Sequence, residues 1–251
     1  MTRLIRNSLL LIAIIAPTSW AETLFKATYK GTYSNINITM VRSLSATNEG
    51  YQLSSKATSF MARIHETSDF TQQGITLKPS HYIYERKIFG ASKKEALSFD
   101  WNKQLAIYSK GKKIEGQQEI YLRMLDPTLY QLQLQLDLAR DAKQPFYHYT
   151  FIRRGQTKTY QFKQVGTSEL ILNKTRYPVV IFTRAQEKES ETLIWLIPSL
   201  DYTIGKIERT EDDGNHYQVE LTDYESQPNL KKILHPSTPE KVKSSKPNPL
   251  K

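Results

Sequence analysis

From Thr23 onward, apolar and polar positions alternate with a period of two. Phe25, Ala27 and Tyr29 fall on one face and Leu24, Lys26 and Thr28 on the other, and Ile36, Ile38 and Met40 repeat the alternation against Asn35, Asn37 and Thr39. Similar runs follow at Tyr51–Phe60, Ala62–Thr71, Ile75–Phe89, Lys94–Trp101 and Gln104–Lys110. The second half adds Phe146–Arg153, Thr157–Val165, Glu169–Leu172, Tyr177–Ala185, Thr192–Ile197, Tyr202–Arg209 and His216–Tyr224. Tyr, Phe, Thr, Ile and Val dominate these runs, as a pleated, half-buried surface favours. Turn residues separate them at Asn48-Glu49-Gly50, Gln73-Gly74, Lys110-Gly111, Gly155, Gly166, Asn173-Lys174 and Asp213-Gly214-Asn215. The pattern predicts a mainly β chain: one curled antiparallel sheet, or half-open barrel, of about 11–13 strands that limits its free edges by curling.

One stretch carries two signals. Leu132, Leu134, Leu136 and Leu138 alternate with polar neighbours as a strand would. Yet Asp126-Pro127 opens like a helix, with a capping carboxylate followed by proline at the first helical position, and no β-branched residue follows Thr128. Straight-chain residues then favour a helix near 127–141, set between two halves of the sheet.

The ends differ from the body. Met1–Ala21 has the basic start, nine-residue apolar stretch (Ser8–Ala16) and small residues before a cut that mark a secretory signal. Cleavage after Ala21 gives an exported protein, expected in the periplasm and, lacking cysteine, not a lipoprotein. The formal charge of +10 is concentrated at the ends: Arg3 and Arg6 supply +2, residues 231–251 supply +5, and residues 22–230 keep +3. A nucleic-acid partner is therefore not expected. Residues 226–251 hold five prolines and six lysines and no aromatic ring, the composition of a disordered basic tail after a folded domain at 22–225. That tail is a candidate for docking on an envelope protein or an anionic membrane surface.

The order Tyr84-x-Arg86, Phe99-Asp100-Trp101, Leu125-Asp126-Pro127, Tyr147–Arg153, Gly166–Leu172, Leu193–Trp195 and Lys206-Ile207-Glu208 resembles a family of exported Gram-negative proteins of unknown function, over Phe25 to Tyr224. Where many members carry Leu-Pro-Val before the last hairpin, this chain has Thr203-Ile204-Gly205. The resemblance implies a periplasmic β-rich fold similar to the half-open barrels of the LolA and LolB lipoprotein carriers, which hold acyl chains in an apolar cavity closed by helices.

Reactive constellations are sparse. The histidines (His65, His81, His148, His216 and His235) show no metal-ligand spacing, and with no cysteine neither a metal nor a cofactor is expected. There is no G-x-S-x-G elbow and no glycine-rich phosphate loop. Glu187, Glu189 and Glu191 read as a solvated hairpin end, and Asp100 with Glu85 is the pair that a glycan-cleaving enzyme would use. The aromatic strands say more. Tyr82, Tyr84 and Arg86 share one face, Phe99 and Trp101 share another, and with Trp195 they are the candidate ligand contacts. Either these rings fill the core and Arg86 pairs with Asp100, or they line a cavity with Arg86 at its mouth. The expected function is non-catalytic: binding a lipid, acyl chain or lipoprotein segment in an apolar cavity to support the cell envelope. The alternatives are an envelope scaffold that uses a sheet edge or the tail, and a glycan-acting enzyme.

Overall fold

The computed structural model describes residues 22–185, 190–211, 214–228 and 230–234. The leader 1–21, the acidic connection 186–189, residues 212–213 and 229, and the tail from 235 onward lie outside the described residues.

The alternating runs form fourteen strands: β1 (Glu22–Tyr33), β2 (Ile36–Thr47), β3 (Gly50–Thr58), β4 (Ala62–Gln73), β5 (Thr76–Ile88), β6 (Ala91–Asp100), β7 (Leu105–Lys110) and β8 (Lys113–Glu119), followed after a helix by β9 (Tyr147–Arg153), β10 (Gln156–Leu172), β11 (Thr175–Ala185), β12 (Ser190–Ile197), β13 (Thr203–Glu211) and β14 (His216–Ser226). All belong to one antiparallel sheet in the order β8-β7-β6-β5-β4-β3-β2-β1-β14-β13-β12-β11-β10-β9. Each strand pairs with its sequence neighbour, and β1 also pairs with β14, joining the two halves in the middle of the sheet. There Gly31 permits a close backbone approach, since a Cβ would sit 1.8 Å from the Gln218 carbonyl oxygen. Strands β8 and β9 are the two edges, so the curl is not closed into a barrel.

The strand count exceeds the expected range because β8 (KIEGQQE) has no apolar alternation to read. In the other direction, Gly166 does not end a strand. It sits at a register shift inside the 17-residue β10, which joins two of the runs read from the sequence.

Helix α1 (Leu129–Arg140) begins two residues after the Asp-Pro pair, yet Asp126 still caps it. The Asp126 carboxylate accepts the Thr128 and Leu129 backbone N–H groups at 2.8 and 2.9 Å, as well as the Ser68 hydroxyl of β4. The alternating leucines are explained by burial on more than one side: Leu132, Gln133, Leu134, Gln135 and Leu136 are all buried. The helix lies within the curl. Gln133 bonds the β4–β5 hairpin at Ile75 and Leu77, while Gln135 donates to the Tyr202 carbonyl on the other half of the sheet. The main core, built from Phe25, Leu44, Leu53, Phe162, Phe182 and Val219 among others, packs with the leucines of α1.

The ordered body also runs past the composition break at 225. Residues Leu230–Leu234 form a short helix, α2, with Leu230 and Ile233 in the core and the Ile233 carbonyl accepting Gln72 Nε2 at 2.8 Å.

Candidate functional site

Because the strands meander, the β1–β2, β3–β4, β5–β6, β7–β8 and β9–β10 connections gather at one end of the sheet, here called the rim. On the inner face, directly paired residues form rows across the strands. One row reads Phe25, Leu44, Leu53, Ser68, Tyr82, Leu97 and Tyr108; the next row toward the rim reads Ala27, Arg42, Ser55, Glu66, Tyr84 and Glu95. The interior thus changes from mostly apolar to charged within two residues along each strand, a step of about 7 Å.

Between this charged row, the start of α1 and strands β9–β13 lies a cavity of about 230 Å³. Arg153, Arg154, Arg184 and Arg209 line it with Glu66 and Glu95, so its guanidinium groups outnumber its carboxylates. Five tyrosines, including Tyr82, Tyr84, Tyr130 and Tyr160, supply most of the rest. Arg184 lies 4.0 Å from the Tyr160 ring centroid, and Tyr160 stands edge-on to Phe151 at 4.6 Å. The Arg42 guanidinium, 5% exposed, backs the cavity: its Nη1 donates to Gln131 of the lining, and its Nη2 is buried without a hydrogen-bond partner.

Burial sets the protonation of this region. It pushes the Glu66 carboxyl above the ordinary carboxylate range, against the Tyr82 hydroxyl that donates to it. Burial also raises Tyr108 to about 12 and lifts Tyr82 and Tyr130 above the normal phenol range, so these rings are neutral donors at physiological pH. Neutral tyrosines beside several guanidinium groups make a site suited to an anion.

The residues proposed from sequence are dispersed. Tyr82 and Tyr84 line the cavity. Arg86 does not; it belongs to a hollow at the rim with Lys56, Arg63 and Lys93. It is not paired with Asp100, whose carboxylate binds Lys103 at 3.1 Å near the opposite end of β6. Phe99 stacks on Trp101, and the Trp101 indole donates to the Pro79 carbonyl at 2.6 Å. Both stabilise a second, smaller core cluster. Trp195 is buried elsewhere, with the Lys206 ammonium 4.7 Å from its ring centroid. Where an apolar cavity was expected, the leucines of α1 pack into the main core, and the cavity beside the start of α1 is lined largely by charged and phenolic side chains.

The carboxylate pair for glycan cleavage does not assemble. Glu85 is opposite Lys94, six residues along β6 from Asp100, a separation of about 20 Å where such chemistry needs roughly 5–9.5 Å. Glu85 instead binds Lys94 at 2.8 Å. His65 and Glu66 point to opposite faces, and His65 bonds Ser54. Among the described residues, no group of three or more His, Cys, Asp or Glu side chains is placed to hold a metal, and no helix is long and apolar enough to cross a membrane.

The cavity arginines were overlooked in sequence, although a signal existed. Arg42, Arg153 and Arg184 each stand two residues from a core residue (Leu44, Phe151 and Phe182), and Arg209 stands two from Ile207, which packs against the core; each therefore shares that residue's inward parity.

A family model described as "Protein of unknown function (DUF3108)" matches residues 25–222. No curated protein matches the chain. Among solved structures, the chain is similar to a β-barrel-like protein of domain of unknown function DUF1849 from Brucella abortus, with a TM-score of 0.54 and 12% identity over 82% of this chain and 99% of the other. These findings give the family and a β-barrel-like fold; they do not extend to the LolA and LolB carriers.

Proposed function

Starting from the fact that the chain belongs to the DUF3108 family of proteins of unknown function, we propose that it is a non-catalytic binding protein of the periplasm. It holds the anionic head of an envelope ligand in the arginine–tyrosine cavity. The observation that carries this reading is the convergence of four arginines from β9, the β9–β10 turn, β11 and β13 on one cavity beside the core that packs around α1. Four guanidinium groups around one cavity concentrate positive charge there, which an anionic group would meet with charge-assisted hydrogen bonds. At about 230 Å³ the cavity is below the roughly 300–1,000 Å³ of a pocket that engulfs a whole ligand. It suits a headgroup-sized anion, with any acyl chain left outside. The leader-like first 21 residues and the resemblance to exported proteins support the periplasmic assignment.

Calorimetric titration with inorganic phosphate and with a short-chain phosphatidylglycerol tests the reading and separates a free anion from a lipid head. Arg153→Gln and Arg184→Gln should each weaken binding about tenfold or more, as expected when a charged hydrogen bond is lost. Equal affinity in wild type and variants for both probes, or no binding of either, would reject it.

A second reading, a scaffold that accepts a partner strand, is favoured by β8. It is an edge of the sheet, and six of its seven residues are exposed. A Gln117→Pro change at that edge should abolish capture of a partner strand while leaving anion binding intact.

A further inference from the structure

The rim carries the two most exposed large hydrophobic side chains among the described residues, Phe60 at 83% and Phe89 at 78%. Phe60 lies in the β3–β4 connection and Phe89 in the β5–β6 turn. The Phe89 N–H donates to the Met61 carbonyl at 3.1 Å, tying the two tips side by side, and the first tip is closed by the Ser59 N–H to the Ala62 carbonyl at 2.8 Å. Phe89 has φ +46° and Gly90 φ +85°, the backbone of a two-residue primed turn. That first position favours Asn, Asp or Gly; a bulky aromatic there strains the backbone by about 1–2 kcal/mol. The chain tolerates the strain without burying the ring.

Next to the tips, a hollow straddles the rim. It gathers Lys56, Arg63, Arg86, Lys87, Lys93 and Lys94; Glu95 pairs with Lys93 and Glu85 with Lys94, which leaves a net positive surface. Protruding rings ringed by ammonium and guanidinium groups match the layering of a bilayer surface, where aromatic rings settle at headgroup depth and cations meet lipid phosphates. The two rings stand outside that hollow, which is lined mainly by charged side chains, so they do not form an apolar groove for a peptide. The shared positive charge opposes a face-to-face pairing of two copies.

We infer that the rim is a docking surface for an anionic lipid bilayer, with Phe60 and Phe89 as its insertion points. The cavity reaches the same end of the sheet, since Arg154 of the β9–β10 turn lines it. The inference goes beyond the proposed ligand site and stands without it.

The test is co-sedimentation of the full chain with phosphatidylcholine vesicles, with and without phosphatidylglycerol. Binding should require phosphatidylglycerol and weaken with added salt. The double variant Phe60→Ser/Phe89→Asn should lose about tenfold or more in vesicle affinity, because each ring removed deletes apolar burial. Its thermal midpoint should rise or hold, because Asn relieves the positive-φ strain, so weaker binding cannot be put down to unfolding. A full-length variant with Lys241, Lys243, Lys246 and Lys251 changed to Gln controls for the tail and should keep the phenylalanine-dependent binding. Unchanged vesicle binding in the double variant overturns the inference, as does binding abolished by the tail variant alone, or loss of a protein dimer as the only effect. Arg153→Gln and Arg184→Gln report on the cavity separately, so the two ideas fail independently.

Discussion

Replacing Gln133 by leucine would isolate what holds α1 in place. By local criteria the change is favourable: leucine is at least as good a helix former as glutamine, and the site is buried. The tertiary structure reverses that expectation. Strand β5 pairs with β6 only from His81 onward, so at Ile75–Leu77 one side of the hairpin has no neighbouring strand. Gln133 takes that place, its Oε1 accepting the Leu77 N–H at 3.0 Å and its Nε2 donating to the Ile75 carbonyl at 2.6 Å and to Asp137 at 3.1 Å. Asp137 keeps its bond from Tyr149, so the main loss is two backbone groups stranded away from water, at about 1–3 kcal/mol each. Added apolar burial and helix propensity return about 1 kcal/mol. The net expectation is a loss of about 1–5 kcal/mol. Gln135→Leu, which removes one bond to the Tyr202 carbonyl, should cost about 1 kcal/mol. Urea unfolding followed by fluorescence measures both, and the midpoint should fall with an unchanged m-value. If Gln133→Leu unfolds at or above the wild-type midpoint, or costs less than Gln135→Leu, α1 is not acting as a substitute strand.

Three further outcomes follow from the same geometry. Asp126→Ala should lower stability by about 2 kcal/mol or more, measured by thermal unfolding, because it strips a buried cap from α1 and a bond from Ser68. Burial raises the folded-state pKa of Glu66 above its unfolded value, so between those two values the folded chain binds the extra proton and stability falls as pH rises. Glu66→Gln should remove that slope, and a pH series of melting curves in which wild type and variant run parallel would show the attribution to be wrong. Phe89→Asn alone should stabilise the fold by roughly 0.5–1 kcal/mol by relieving a positive-φ aromatic, and a lower unfolding midpoint would contradict the strain argument.

Local pattern determined much of this protein. Period-two alternation marked nearly every strand, and turn residues such as Asn173-Lys174 marked where hairpins close, because a half-buried pleat and a primed turn each demand particular residues at fixed spacing. The Asp-Pro start and unbranched residues identified α1, since capping is also a local interaction. Strand β8 was illegible because an exposed edge leaves no hydrophobic record. The cavity depended on what pairs across the sheet. Arg86 and Asp100 looked like partners in sequence, yet they lie on adjacent strands toward opposite ends, while Arg153, Arg184 and Glu66, remote in the chain, meet in one place. Parity says which face a side chain takes, but only the curled path of strands and the helix within it decides which inward residues share a space and whether that space is greasy or charged. The interior of a curled sheet is long-range geometry, and so its contents were settled by the tertiary structure alone.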